Sequence, residues 1–160
     1  MIEFKIVDNT NAIAQVSKLA KNIWSEHYLP IIGSHQVLYM LDKFQSEDAI
    51  EQQIDEGYRY YIISYNQVEA GYFSVRDKGE KLFLSKLYIL KYFRGKGIGK
   101  QAIEFIKTNF QNPVIQLTVN KNNSDSLAFY KNVGFEIVDD VVMDIGNGFV
   151  MDDYVMEMAS

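Results

Sequence analysis

The chain has 160 residues, a formal net charge of −5, and 48% hydrophobic and 23% charged residues, the balance of one globular domain with ample core material. That acidity argues against a nucleic-acid partner held by phosphate neutralisation. With no cysteine, disulfides, thiolate metal sites and a cysteine nucleophile are excluded, and no metal centre is expected.

Met1 leads into Ile2-Glu3-Phe4-Lys5-Ile6, without the charge-then-apolar layout of a secretory leader. No apolar run approaches the roughly 18 residues that span a bilayer. The expectation is a single domain over residues 1–160, in the cytoplasm, without a membrane partner. Ile2–Val7 alternates apolar and polar residues and predicts a first strand. Ile13, Val16, Leu19, Ala20, Ile23 and Trp24 fall at helical spacing, with Asn9, Thr10 and Asn11 as candidate caps. Pro30 and Gly33 interrupt that pattern. A second helix is predicted over Gln36–Asp42, and a third over Glu47–Glu56, capped by Ser46 and ended by Gly57.

Tyr58–Tyr65 is rich in strand formers. Asn66-Gln67 turns it into Val68–Arg76, and Asp77-Lys78-Gly79 turns that run into Lys81–Leu90, which gives an antiparallel meander. Lys100–Phe110 reads as a helix, Val114–Val119 as a strand, and Asn123–Val133 as a helix stopped by Gly134. Two strands close the chain, Phe135–Asp144 and Phe149–Met158, joined through Ile145-Gly146-Asn147-Gly148. The order β-α-α-α-β-β-β-α-β-α-β-β predicts an α/β fold, a mixed sheet with helices packed against it.

The sharpest signal runs from Leu87 to Gly99, out of a strand, through a glycine-rich turn and into a helix. Gly95, Gly97 and Gly99 alternate, so the backbone can approach an oxyanion with no β-carbon in the way. Free amide hydrogens and the helix dipole at such a start suit a pyrophosphate. Lys91, Arg94, Lys96 and Lys100 crowd around the turn with no acid among them. On an acidic chain this reads as a pocket for a small polyanion, or as a solvated helix entrance. A nucleotide P-loop requires G-x-x-x-x-G-K-[ST], but Gln101 follows Gly99-Lys100. A dinucleotide fingerprint requires a glycine where Lys100 stands, and a βαβ setting that a meander does not supply.

Arg94-Gly95-Lys96-Gly97-Ile98-Gly99 matches the pattern [Q/R]-x-x-G-x-[G/A] of the Gcn5-related N-acetyltransferase superfamily. Downstream, Asn123, Ser126, Phe129, Tyr130, Gly134 and Phe135 resemble that superfamily's later motif, N-x-x-[A/S]-x-x-[F/L]-Y-x-x-x-G-F. Two motifs in the right order and separation mark nearly the whole chain as similar to this family. The resemblance implies acetyl-coenzyme A as cofactor. Contacts to it are expected from Leu87, Tyr88 and Ile89 on the strand, from Arg94, Gly95, Lys96, Gly97, Ile98, Gly99 and Lys100 in the turn and helix start, and from Asn123 and Ser126. Asn123 and Tyr130 lie two turns apart on one helix face. The resemblance makes Tyr130 the catalytic proton donor to the departing thiolate; the alternative is an amphipathic core tyrosine, in a chain with 11 tyrosines.

The implied reaction is direct attack of an amine on the thioester, without an acyl-enzyme. Many relatives carry a glutamate base on the strand before the turn, but here Lys81–Tyr88 holds no acid and only Glu80 stands at its entrance. A water chain ending at Ser85 or Tyr88, or an acid from elsewhere, is expected to do the work. The acceptor, expected to be a small amine, is assigned to Trp24, Glu26, His27, Tyr28, Ser85 and Asp153, where aromatic faces and acids suit a cation. The plainer reading keeps His27 and His35 as surface or packed residues and Asp152-Asp153 as a solvated strand entrance. The closing segment and the Trp24–Tyr28 region loosely resemble bacterial polyamine or diamine acetyltransferases. A protein N-acetyltransferase, a silent acyl-coenzyme A-binding module and a nucleotide binder are the competing readings, and a homodimer is compatible with the family.

Overall fold

The structure, a computed structural model, describes all 160 residues. In chain order it runs β1 (Ile2–Ile6), α1 (Thr10–His27), α2 (Leu29–Ile32), α3 (Ser34–Gln45), α4 (Glu47–Asp55), β2 (Tyr58–Tyr65), β3 (Val68–Asp77) and β4 (Lys81–Ile89). A 3-10 turn (Lys91–Phe93) leads to α5 (Ile98–Asn109), β5 (Val114–Asn120), α6 (Ser124–Val133), β6 (Glu136–Gly146) and β7 (Phe149–Ala159). The seven strands form one sheet in the order β1-β2-β3-β4-β5-β7-β6. No helix is long and apolar enough to cross a membrane.

The expected strands and caps are present. Asn9 accepts from the Ala12 amide and Ser46 from the Ala49 amide, closing the starts of α1 and α4. Asn66 and Gln67 adopt positive φ, 49° and 69°, as a two-residue hairpin loop requires. One extra helix appears: Pro30 opens the single turn α2 instead of only breaking the pattern. A proline in the first turn withholds an N–H that has no partner there anyway, and its fixed φ suits the helix. The break falls at Gly33, with φ 86°. Further along, α5 starts two residues before the expected Lys100, and β6 continues to Gly146, leaving Asn147-Gly148 as the turn.

Strand alternation feeds two cores. Tyr60, Ile62 and Tyr72 point to the α1–α3–α4 side, whereas Ile63, Phe73 and Val75 point to the α5–α6 side. A buried polar chain ties the first side together. The Trp24 indole donates to the Tyr72 hydroxyl (3.3 Å), Tyr72 donates to Oε1 of Gln45 (2.5 Å), and Nε2 of Gln45 donates to the Tyr60 hydroxyl (3.1 Å).

Two features of β4 position the site. First, Ser74 pairs with Lys86 while Val75 pairs with Leu84, so Ser85 is an extra residue, a bulge. The bulge resets the alternation: Leu84, Leu87 and Ile89 join the α5–α6 core, and Tyr88 joins the opposite one. Second, β4 pairs in parallel with β5 only over Lys81–Phe83 and Val114–Gln116. Beyond that the two strands diverge, and the sheet opens like a V.

Candidate active site

The larger cleft, about 340 Å³, lies between the end of β4, the start of α5 and α6. Its walls include Leu87 and Ile89 from β4, Arg94, Gly95 and Gly97 from the loop, Ile98, Gly99 and Lys100 from α5, and Ser126, Phe129 and Tyr130 from α6. Gly97, with φ 76°, precedes α5, and no side chain caps that helix. The first helical bond there runs from the Gln101 amide to the Gly97 carbonyl, so the amides of Ile98, Gly99 and Lys100 have no partner within the helix. At Gly95 and Gly97 a β-carbon would meet nothing within 4 Å; the cradle is open. Gly99 differs, because a β-carbon there would stand 2.8 Å from the Phe129 ring. Glycine at this position lets α5 and α6 approach.

Tyr130 is 8% exposed, packed edge-on against Phe129 and Phe135, and faces this cleft. Burial, with Tyr28 adding to it, raises its phenol well above the usual value, so the group stays protonated and able to donate. Asn123 caps α6 by accepting from the Ser126 amide at 3.3 Å. Its own amide nitrogen lies 2.9 Å from Nε2 of His27 and the Arg94 guanidinium 3.0 Å from Nδ1; a neutral ring has one acceptor nitrogen and takes a hydrogen bond from one of these two donors at a time. His27, at the end of α1, thus stands between the loop and α6 across the cleft. Burial and the Arg94 charge lower its pKa, which keeps it neutral at neutral pH.

The smaller pocket, about 60 Å³, lies on the other side of the opened sheet. Trp24, Tyr28, Ser85, Tyr88 and Thr118 line it together with Asp153 of β7. Tyr88 also lines the larger cleft, so one ring separates the two spaces. Its hydroxyl lies 3.3 Å from that of Tyr28. Burial pushes Tyr28 up to about 12, offset in part by the bond to Tyr88 and reinforced by Asp153. Asp153 is 1% exposed and its Oδ1 has no hydrogen-bond partner. Burial, with Asp152 next in effect, raises its carboxyl to about 6.

A family model described as the acetyltransferase (GNAT) domain matches residues 30–158. The chain belongs to that family. A 5-NmdU N-acetyltransferase of Pseudomonas phage PaMx11 is 30% identical over 69 residues, which is 42% of this chain and 49% of that protein; the match thus spans about half the length of that curated relative. Among solved structures, the PaiA N-acetyltransferase of Thermoplasma acidophilum in complex with coenzyme A superposes with a TM-score of 0.79 at 19% identity, covering 100% of this chain and 99% of that one. Naa50 of Arabidopsis thaliana, in complex with the bisubstrate analogue CoA-Ac-MVNAL, gives 0.68 at 22%, covering 99% of both. At these identities the two structures speak for the GNAT fold.

Within the GNAT frame, Leu87, Tyr88, Ile89, Arg94, Gly95, Gly97, Ile98, Gly99, Lys100, Ser126 and Tyr130 gather around one cleft. Lys96 does not line it and instead sets its ammonium over the Tyr65 ring at 5.7 Å. Asn123 acts on the cleft through His27. Of the residues expected to meet the acceptor, Trp24, Tyr28, Ser85 and Asp153 share the smaller pocket. His27 lies in the larger cleft. Glu26 lines neither pocket and accepts from the Lys91 amide at 3.1 Å, tying α1 to the 3-10 turn. His35 is exposed. Sequence reasoning passed over Phe93 and Asp125 as cleft residues; no spacing rule marks them, although Phe93 directly precedes the loop motif.

Proposed function

We propose that this GNAT protein transfers the acetyl group of acetyl-coenzyme A to the amine of a small acceptor, by direct attack in a ternary complex. The observation that carries the reading is the shared wall at Tyr88: a cleft fit for the cofactor on one side, and a small aromatic and acidic pocket on the other. The cofactor supplies an acetyl carbon already activated as a thioester. The unpartnered amides of Ile98, Gly99 and Lys100 would hold its diphosphate, with Arg94 and Lys100 adding charge. The edge of β4 beyond Phe83, released from β5, would take the amides of the pantetheine arm. Tyr130, kept protonated by burial, would give its proton to sulfur as charge develops there.

The volume of the smaller pocket, about 60 Å³, supports an acceptor that inserts one slim amine-bearing end. Trp24, Tyr28 and Tyr88 offer ring faces to a cation. The test is release of coenzyme A thiol with a panel of diamines, polyamines, amino acids, aminoglycosides and short peptides. At least one small amine should turn over, and coenzyme A should raise the melting temperature. Turnover confined to peptides would transfer the activity to protein substrates. A cofactor-induced rise in melting temperature with no acceptor at all would make the chain a binding module.

A further inference from the structure

We propose that the buried carboxylate of Asp153 receives the acceptor as its ammonium ion and takes the proton that the amine must lose before it attacks. This rests on the reading above that an amine enters the smaller pocket.

β7 presents Asp152 and Asp153 to opposite faces, as strand alternation demands. Asp152 turns outward and pairs with Lys121 at 3.0 Å. Asp153 turns inward, opposite Asn120 of β5, is 1% exposed, and keeps Oδ1 without a partner in the pocket. A buried carboxylate without a cation destabilises a fold, and an asparagine of the same shape would serve packing better. A group so costly to the fold fits a ligand that brings the missing positive charge. No element around the pocket supplies that charge, and Thr118 of β5 offers Asp153 only a neutral hydroxyl. From α1 comes Tyr28, from β4 Tyr88, and both phenols are held protonated by burial. Lys121, at the end of β5, is engaged outside by Asp140 and Asp152, and α3 contributes only Gln36 and Met40. No cation enters the pocket.

The nearest rival is Lys86. Burial lowers its ammonium to about 7, and it donates to Ser85 at 3.0 Å and to Gln53 at 3.2 Å. Ser85 lines the pocket but Lys86 does not, so the lysine reaches an acceptor only at second hand. Asp153 faces it directly. A carboxyl at about 6 is ionised at neutral pH and still far more basic than an exposed aspartate.

The proton balance closes. One proton of R–NH3+ passes to the Asp153 carboxylate and then to solvent. The nitrogen lone pair forms the C–N bond as the C–S bond breaks, with its electron pair left on sulfur. Sulfur takes the Tyr130 proton, and the second proton shed by nitrogen restores the phenol. The Tyr28 and Tyr88 hydroxyls lie 3.3 Å apart, and Tyr28 is near enough to feel the Asp153 charge and to raise the Tyr130 phenol, so this pair stands in the region such a return crosses.

The experiment is the pH profile of kcat/KM for Asp153→Asn and the unsubstituted protein, with 1,4-diaminobutane first and then the other amines of the panel. The unsubstituted protein should lose activity below about pH 6. Asp153→Asn should fall by about 10²–10⁴-fold, lose that acid limb, and keep or raise its melting temperature. A second variant, Asp153→Ala, should regain turnover as formate is added, because the small carboxylate can enter the vacated space. Full turnover with an unchanged acid limb in Asp153→Asn would overturn the assignment and leave amine acetylation standing. A parallel loss of melting temperature and activity in both variants, with no response to formate, would reduce Asp153 to a structural residue and overturn it too. Absence of turnover by the unsubstituted protein with every amine, while coenzyme A still binds, takes down the amine reading itself.

Discussion

A β-carbon on Gly71 would stand 2.1 Å from the carbonyl oxygen of Tyr88. The obstructing atom is main chain, so no rotamer change can clear it. Glycine at this point of β3 therefore sets how closely β4 can lie, and hence where the ring that divides the two pockets sits. Gly71→Ala must push the strands apart exactly where Tyr88 belongs to both spaces. Overpacking usually costs about 1–3 kcal/mol, and a backbone obstacle belongs at or beyond the upper end. Denaturant unfolding should show that loss, with acetyl transfer falling further than cofactor affinity. An unchanged midpoint would mean that β3 and β4 are held apart by something other than this contact.

Tyr130→Phe removes one hydroxyl from a ring fixed by Phe129 and Phe135. The ring packing survives, so stability should change little. Turnover should drop by about 10²–10⁴-fold, while coenzyme A affinity stays within a few-fold of the parent. Because burial raises the phenol, no alkaline loss of activity is expected from Tyr130 near neutral pH. Calorimetry for affinity and single-turnover kinetics for the chemical step separate the two effects.

Gly97→Glu places a carboxylate in the open cradle at a left-handed position, φ 76°. The strain alone is worth roughly 1–2 kcal/mol. Gly79, φ 88° with open space around it, carries similar strain in the turn between β3 and β4, away from the cleft. Both Gly97→Glu and Gly79→Glu should lose comparable stability. Only the first should lose coenzyme A binding, by about 100-fold or more, since repulsion of about 3 kcal/mol corresponds to that factor. Equal affinities in the two variants would move the diphosphate away from this loop.

Much of this site is readable without coordinates, because its signals are local. Gly95 and Gly97 ahead of α5 need no tertiary context to mean an open backbone, whereas the packing of Gly99 against Phe129 does; Asn123 capping α6 follows from its place before Ser124-Asp125. What sequence leaves open depends on facing. Asp152 and Asp153 are chemically identical neighbours, and only the register of β7 against β5 decides which one turns inward. The bulge at Ser85 is likewise set by β3, and it carries Tyr88 to the face opposite Leu87 and Ile89. Glu26 and His27 follow each other on α1, yet one ties down the 3-10 turn and the other stands between Arg94 and Asn123. Lys96 sits inside the loop motif but turns to Tyr65, because a motif fixes the backbone path and not each long side chain.

Asp153 also predicts how stability should vary with pH. Its folded carboxyl at about 6 lies above the roughly 3.9 of an unfolded aspartate, so the folded state holds the proton more tightly. Any stability this group confers is complete below about pH 4 and lost as pH rises through about 6. Asp140 and Glu157, lowered chiefly by hydrogen bonds from Lys121 and Lys81, act in the opposite sense, and their effects cancel when a variant is compared with its parent. At pH 7.5, Asp153→Asn should therefore be the more stable protein, by up to roughly 3 kcal/mol. That gain should shrink steadily on acidification and vanish near pH 4, where both forms are uncharged at this position. Urea midpoints of the two proteins across this range decide the matter. A pH-independent difference would mean that the carboxylate finds a partner in the folded protein, and would remove the reason for it to seek one in an amine.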